Sequence, residues 1–301
     1  MSSCYDTLVE GEISQINVEQ ADQIVQRLWD RDVRTWNRHW APIFRNFARD
    51  LVSDGKLSRG KIVLDIGTGS GLAALEAVRY VKPGGLVLAL DRSRPMLKFA
   101  ELMAKRARVR NVLFLEMNAD RMLFPDDFFD VVLSNCGIAY TKFPVTVAEA
   151  YRVLREGGTF VLNDWHLKDV QAHRVFGGIL QQHRTNRPSK KLQAERTAIA
   201  TFERVGSRYS DLNELVTELQ RAGFTEMRTK YRTYRIQLRG VQEFLAMRLE
   251  RETLKRELRE LTQAKRRMML DGLRRGLKPF LRKGRFIFDW KVAYVSARKP
   301  N

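Results

Sequence analysis

Residues 63–71 read Val-Leu-Asp-Ile-Gly-Thr-Gly-Ser-Gly, a run that could grip a small ligand largely through its backbone. It follows a short apolar strand and precedes Leu72-Ala-Ala-Leu75, which opens a helix. Alternating glycines let the chain turn sharply and approach a ligand without Cβ clashes. The N–H groups at the start of the helix favour an anionic group at the same point. Asp65 stands just before the glycines, where it could hold a cationic or hydrogen-bonding part of the ligand. A dinucleotide fingerprint is spaced G-x-G-x-x-G, with an acid about 20 residues later. Here the spacing is D-x-G-x-G-x-G, with the acid before the turn.

Two further acids fall at equivalent places. Gly85-Leu-Val-Leu-Ala-Leu-Asp91 reads as a second strand ending in a carboxylate, and an acid there would accept hydrogen bonds from both hydroxyls of a ribose. Val112–Met117 reads as a third strand and leads into Asn118-Ala119-Asp120. Helix capping or loop hydrogen bonding is the alternative for each acid alone. Their joint placement at the ends of three successive strands favours a shared ligand.

These motifs, with three that follow, resemble the class I S-adenosylmethionine (SAM)-dependent methyltransferases. The likeness is to the menaquinone and ubiquinone C-methyltransferase family (methyltransferase domain 11). Asp91, Ser93 and Met96-Leu97 resemble its D-x-S-x-x-M-L signature. Pro125-Asp-Asp-Phe-Phe-Asp-Val-Val132 resembles P-D-x-x-F-D-x-V, running into a fourth strand. Glu149–Gly158 resembles E-x-x-R-V-L-x-P-G-G with Glu156 in place of the proline, and Phe160–Asp164 is then a fifth strand.

The resemblance implies an α/β, Rossmann-like class I methyltransferase fold. Its seven-stranded mixed sheet would run 3-2-1-4-5-7-6, with strand seven antiparallel. It implies SAM as cofactor and S-adenosylhomocysteine as product. Gly67, Gly69 and Gly71 would approach the methionine part, and Asp65 its ammonium. Asp91 would bind ribose and Asp120 the adenine amine. Thr68, Arg92, Met96, Asn118 and Ala119 belong to the same set of cofactor contacts. Asn135 and Cys136, after strand four, stand where the family faces the methyl group.

Methyl transfer from a sulfonium mainly requires alignment of the nucleophile and exclusion of water. An oxygen or nitrogen nucleophile also needs a base, and His166, just past strand five, is the candidate; the alternative is an ordinary loop histidine. Trp36, Trp40, Tyr140 and Trp165 are candidates to line an acceptor pocket, against the alternative of packing on the sheet. The four histidines, His39, His166, His173 and His183, form no zinc-like spacing, so no metal is expected. Asn135-Cys-Gly-Ile138 lacks the Asp/Asn-Pro-Pro-Tyr pattern of base N-methylation.

The elements that must position these residues are legible as a strand–helix alternation from 61 to 165. Before it, apolar spacing predicts a helix over 19–40, interrupted at Pro42, and a second helix over 43–52. Beyond it, strand six is expected over 225–238 and the last strand over 285–299. Between them lies a helical insertion, 241–283, for which a substrate lid, a dimer interface and a membrane-facing amphipathic pair are the alternatives, the lid being favoured. The expected organisation is a helical cap (1–54), the SAM-binding core (55–165), helices with strand six (166–240), the insertion as a substrate lid (241–283) and the final strand (284–301).

Net charge is +19 over 301 residues, and 22 Lys/Arg against 7 Asp/Glu fall between Arg228 and Asn301. An anionic substrate, an anionic surface such as membrane lipid or RNA, and a solvated arginine-rich face all account for this. Cys4 and Cys136 form no C-x-x-C pair, and the first residues show no leader pattern. The expectation is a cytoplasmic methyltransferase, with peripheral membrane contact as an option, acting on a small organic acceptor that is hydrophobic or phosphate-bearing. An RNA methyltransferase and a non-catalytic SAM-binding protein are the rival readings.

Overall fold

The computed structural model describes residues 17–165, 170–206 and 211–301. Strands β1 (Ile62–Ile66), β2 (Leu86–Asp91), β3 (Val112–Glu116), β4 (Phe129–Asn135), β5 (Leu154–Trp165), β6 (Thr225–Leu238), β7 (Leu281–Arg282) and β8 (Arg285–Arg298) form one sheet, in the order β3-β2-β1-β4-β5-β8-β6. Strands β3, β2, β1, β4 and β5 run parallel to one another, and β8 pairs antiparallel with β5. The expected order is therefore present with one correction. The two-residue strand β7 pairs only with β8 in a tight hairpin, so the last strand is the eighth of the chain.

The helices are α1 (Val18–Thr35), α2 (Ala41–Asp54), α3 (Leu72–Val81), α4 (Arg94–Arg106), α5 (Phe143–Val153), α6 (Gln171–His183), α7 (Lys190–Gly206), α8 (Leu212–Arg221), α9 (Val241–Leu249), α10 (Glu252–Glu260) and α11 (Gln263–Leu277). Pro42 does not interrupt the coil as the sequence suggests. A π-helical turn, Trp36–Trp40, carries the chain into α2, and Pro42 sits in the first turn of that helix, where its missing N–H costs no intrahelical bond.

The chain divides into two compact units. One comprises 36–165, 211–232 and 292–301. Its core lies on the sheet, with Leu64, Ile66, Leu90, Phe129, Val132, Phe160 and Val295 buried against α5 and α8. Helix α2 contributes Phe44, Phe47, Ala48 and Leu51, all at most 1 % exposed. The other unit comprises 17–35, 170–205 and 233–291. In it α11 buries Met269, Leu273 and Leu277 and lies against α6. Gly276 permits the close approach, since a Cβ there would stand 2.7 Å from Ile179 Cδ1.

Of the expected cap, the described residues 17–35 and 36–54 fall in different units. Asp32 on α1 accepts hydrogen bonds from Arg251 Nε and Glu252 N, both at 2.9 Å, which draws α1 into the unit of α9–α11. The apolar face of α2 belongs to the sheet unit instead.

Candidate active site

Ligands of parallel α/β sheets gather beyond the carboxyl ends of the strands. At that edge stand the loop after β1, Asp91 ending β2, Asn135 ending β4 and Trp165 ending β5. The glycine loop is tied down twice. Thr68 N donates to Leu90 O at 2.9 Å, and Gly69 N donates to Asp91 Oδ2 at 2.8 Å. Ser93 N donates to Asp91 Oδ1 at 2.8 Å, so backbone amides fix both oxygens of the carboxylate. Burial pushes the Asp91 carboxyl above its ordinary range, while the Ser93 and Gly69 amides and the Arg92 charge pull it back.

Gly69 has φ +54°, and a Cβ built on it would meet nothing within 4 Å among the described residues. The loop therefore presents an open approach at its middle glycine. Gly67 serves a different end. A Cβ there would lie 2.8 Å from Gly137 Cα, and one on Gly137 would lie 2.7 Å from Ile66 O. The loops after β1 and β4 pass backbone to backbone. Ser134 Oγ links them, donating to Ile66 O at 3.0 Å and accepting from Ile138 N at 2.9 Å.

Asp65 is buried, and its Oδ2 accepts from Thr68 Oγ1 at 2.6 Å and from Ala74 N at 3.0 Å. Its Oδ1 has no hydrogen-bond partner among the described residues. Burial raises its carboxyl pKa to about 7, against the opposing pull of those two donors. An unfolded aspartate ionises near pH 4, whereas the folded one holds its proton to about pH 7. Rising pH across that interval therefore removes stability, by an amount on the order of 4 kcal/mol. Asp65→Asn should abolish this contribution. Urea unfolding of both proteins from pH 4 to 8 should show the native chain losing stability relative to the variant up to pH 7, with no further change above it. Parallel pH curves would mean that the Asp65 carboxyl is not held protonated.

Asn163, fully buried on β5 and paired in register with Asn135, organises the end of β4. Its Oδ1 accepts from Cys136 N at 2.8 Å and from the Cys136 thiol at 3.3 Å. Its Nδ2 donates to Asn135 Oδ1 at 3.0 Å and reaches Phe47 O at 3.5 Å. This amide holds Cys136 at φ +56°, a conformation that costs a non-glycine residue about 1 kcal/mol or more. Asn163→Leu should leave buried polar groups unmatched and lower stability by about 2–3 kcal/mol, read as a shift in the urea midpoint. A shift under a quarter of that would show that the turn holds itself.

The remaining expected residues distribute as follows. Met96 and Ala119 are buried in the core, and Met96 N is capped by Ser93 Oγ at 3.4 Å. Asn118 Oδ1 accepts from Asp120 N, while Asp120 Oδ1 accepts from Lys142 N at 3.0 Å and Thr146 Oγ1 at 2.7 Å, pinning the start of α5. Arg92 and Tyr140 are half-buried. Trp36 and Trp40 stack at 6.2 Å, each edge-on to Phe44, and Trp40 is 1 % exposed, a core position. Trp165 pairs through its backbone with Val292. His166 lies outside the described residues. Gly137, Ser134 and Asn163 escaped the sequence reading, since nothing local marks them. Their signal is position alone, at the carboxyl ends of two adjoining strands.

A family model described as a methyltransferase domain matches residues 57–223, more than half of the chain. The chain belongs to this methyltransferase domain family. It is 34 % identical over 122 residues to the ubiquinone/menaquinone biosynthesis C-methyltransferase UbiE of Marinomonas sp. strain MWYL1, a match covering 40 % of this chain and 49 % of the relative. It is 28 % identical over 149 residues to the demethylmenaquinone methyltransferase of Symbiobacterium thermophilum, covering 48 % and 59 %. The chain thus spans about half the length of the curated relatives it matches. The crystal structure of YcgJ from Bacillus subtilis superimposes with a TM-score of 0.54 at 20 % identity, over 85 % of this chain and 99 % of that one, a likeness of fold. The methyltransferase domain takes SAM as its cofactor. The open side of Gly69 and the carboxylate at the end of β2 fit a nucleoside, and the unmatched Oδ1 of Asp65 fits its ammonium once that carboxyl, held protonated to about pH 7 by burial, ionises.

Proposed function

We propose that this chain transfers a methyl group from SAM to a small organic acceptor, hydrophobic or phosphate-bearing. The observation that carries the reading is the Gly69–Asp91 bracket, a loop open at its middle glycine and fixed to an acid at the end of the neighbouring strand. SAM supplies a methyl group already activated on a sulfonium. Asp91 would hold the ribose hydroxyls, Asp65 the ammonium, and the glycine loop would pass alongside the methionine part. Asn118, Ala119 and Asp120 would border the adenine, with Arg92 and Met96 beside the ribose. Asn135 and Cys136, fixed by Asn163, would align the acceptor and keep water from it.

Helices α9–α11 lie outside the segment matched by the family model, and we assign 241–283 to acceptor recognition on that ground. His166 is assigned the role of base for an oxygen or nitrogen nucleophile.

The test uses SAM labelled in its methyl group, purified protein and fractionated cell extract. Label in the small-molecule fraction supports the reading. Label in RNA replaces it with the RNA-methylating one. Cofactor binding without any transfer replaces it with a SAM-binding protein that lacks catalysis.

A further inference from the structure

Several half-buried cations in the unit that contains α9–α11 are neutralised. Glu257 takes Arg196 at 2.6 Å and Arg184 at 3.3 Å, Glu195 takes Arg256 at 3.0 Å, and Glu252 takes Lys255 at 2.9 Å. The pattern changes from Gln263 to Arg285, a stretch with nine Lys/Arg and one acid, Asp271. All nine are exposed. Arg274 pairs with Asp271 at 2.8 Å. No acidic partner among the described residues meets Lys265, Arg266, Arg267 or Arg275 on α11, or Lys278 in the turn after it. The same holds for Arg282, Lys283 and Arg285 at the tip of the β7–β8 hairpin.

We propose that this helix–hairpin face docks the protein on an anionic lipid surface. The inference is independent of the cofactor reading. Helical spacing puts Arg267, Arg275 and Lys278 on the side of α11 away from its buried Met269, Leu273 and Leu277. Those apolar residues are already spent against α6, so α11 has no apolar face to insert into a bilayer. Only Met268, 59 % exposed, could dip below the headgroups. Contact is therefore peripheral and driven by charge, the regime of clustered basic side chains on anionic membranes. Nucleic acid fits the same charge less well. A single strand is held by aromatic stacking as well as cations, and none of the exposed large apolar side chains in this stretch is aromatic. Cations on long flexible stems, spread over a helix and a hairpin tip, instead match laterally mobile headgroups.

The test is co-sedimentation of the full chain with vesicles of phosphatidylcholine alone or doped with phosphatidylglycerol, at near-physiological and at high salt. Binding should require phosphatidylglycerol and vanish at high salt. Each basic side chain near the surface contributes a factor of roughly five, so Arg267→Gln/Arg275→Gln/Lys278→Gln should weaken partitioning roughly 100-fold. The control, Lys98→Gln/Lys105→Gln/Arg106→Gln, removes equal charge from the exposed side of α4 and should change it little. Equal losses in both triples would reduce the effect to net charge and overturn the assignment of this face. Binding to neutral vesicles, or RNA binding with no vesicle binding, would overturn the lipid partner itself. If the first triple fails to fold by circular dichroism, Arg282→Gln/Lys283→Gln/Arg285→Gln at the hairpin tip reads the same face against the same control.

Discussion

Asp91→Ala is expected to weaken SAM binding about 10- to 150-fold, the range for a carboxylate that takes charge-assisted hydrogen bonds worth about 1.5–3 kcal/mol. Two losses combine. The ribose loses its acceptor, and the Gly69 amide loses the oxygen that holds it at 2.8 Å. Asp91→Asn separates them, because its amide oxygen can still receive one backbone N–H while the charge is gone. It should fall between the native chain and the alanine variant. Calorimetric titration with SAM and S-adenosylhomocysteine reads all three. Unchanged affinity in Asp91→Ala would displace the ribose role from the end of β2.

The second large effect is at Gly69. Substitution by asparagine should reduce SAM affinity by roughly 100-fold, equivalent to about 2.7 kcal/mol, while the melting temperature moves little. Asparagine tolerates φ > 0 better than other side chains, so backbone strain at φ +54° stays small. With no atom of the described residues within 4 Å of its Cβ, the new side chain has room within the loop. It would meet the ligand. Gly67→Asn is the contrast, since its Cβ would collide with Gly137 at 2.8 Å and should unsettle the fold as well. Loss of stability without loss of affinity in Gly69→Asn would mean that the open side of the loop is not the cofactor's side.

Much of the cofactor half was legible because its determinants are local. Strand, acid, glycine and helix follow one another within residues 61–75, and a strand leading to an acid recurs at Asp91 and Asp120. What was not legible depends on register and long-range approach. Asn163 matters because β5 sets it opposite Asn135, and Gly137 because its loop crosses that of Gly67. Neither fact is written in the neighbouring residues. Asp65 was read as a ligand contact, but one of its oxygens is committed to Thr68 and Ala74, and periodicity carries no record of that. Pro42 misled because a proline stops a helix only from its interior, and a π turn moved it to a first turn. The 19 excess charges were countable from composition. Which of them lack an acid could be seen only once Glu195 and Glu257 had claimed their arginines.

The environment of Cys136 also makes it a clock. Burial raises its thiol well above the ordinary range, and the Asn163 amide covers it. Thiol reagents attack the thiolate, so the closed end of β4 shields this side chain twice, by access and by ionisation. Its alkylation rate in a Cys4→Ser background therefore counts how often that end of the sheet opens. A bound ligand at the same edge should slow the count, and the slowing gives its affinity without any assay of methylation.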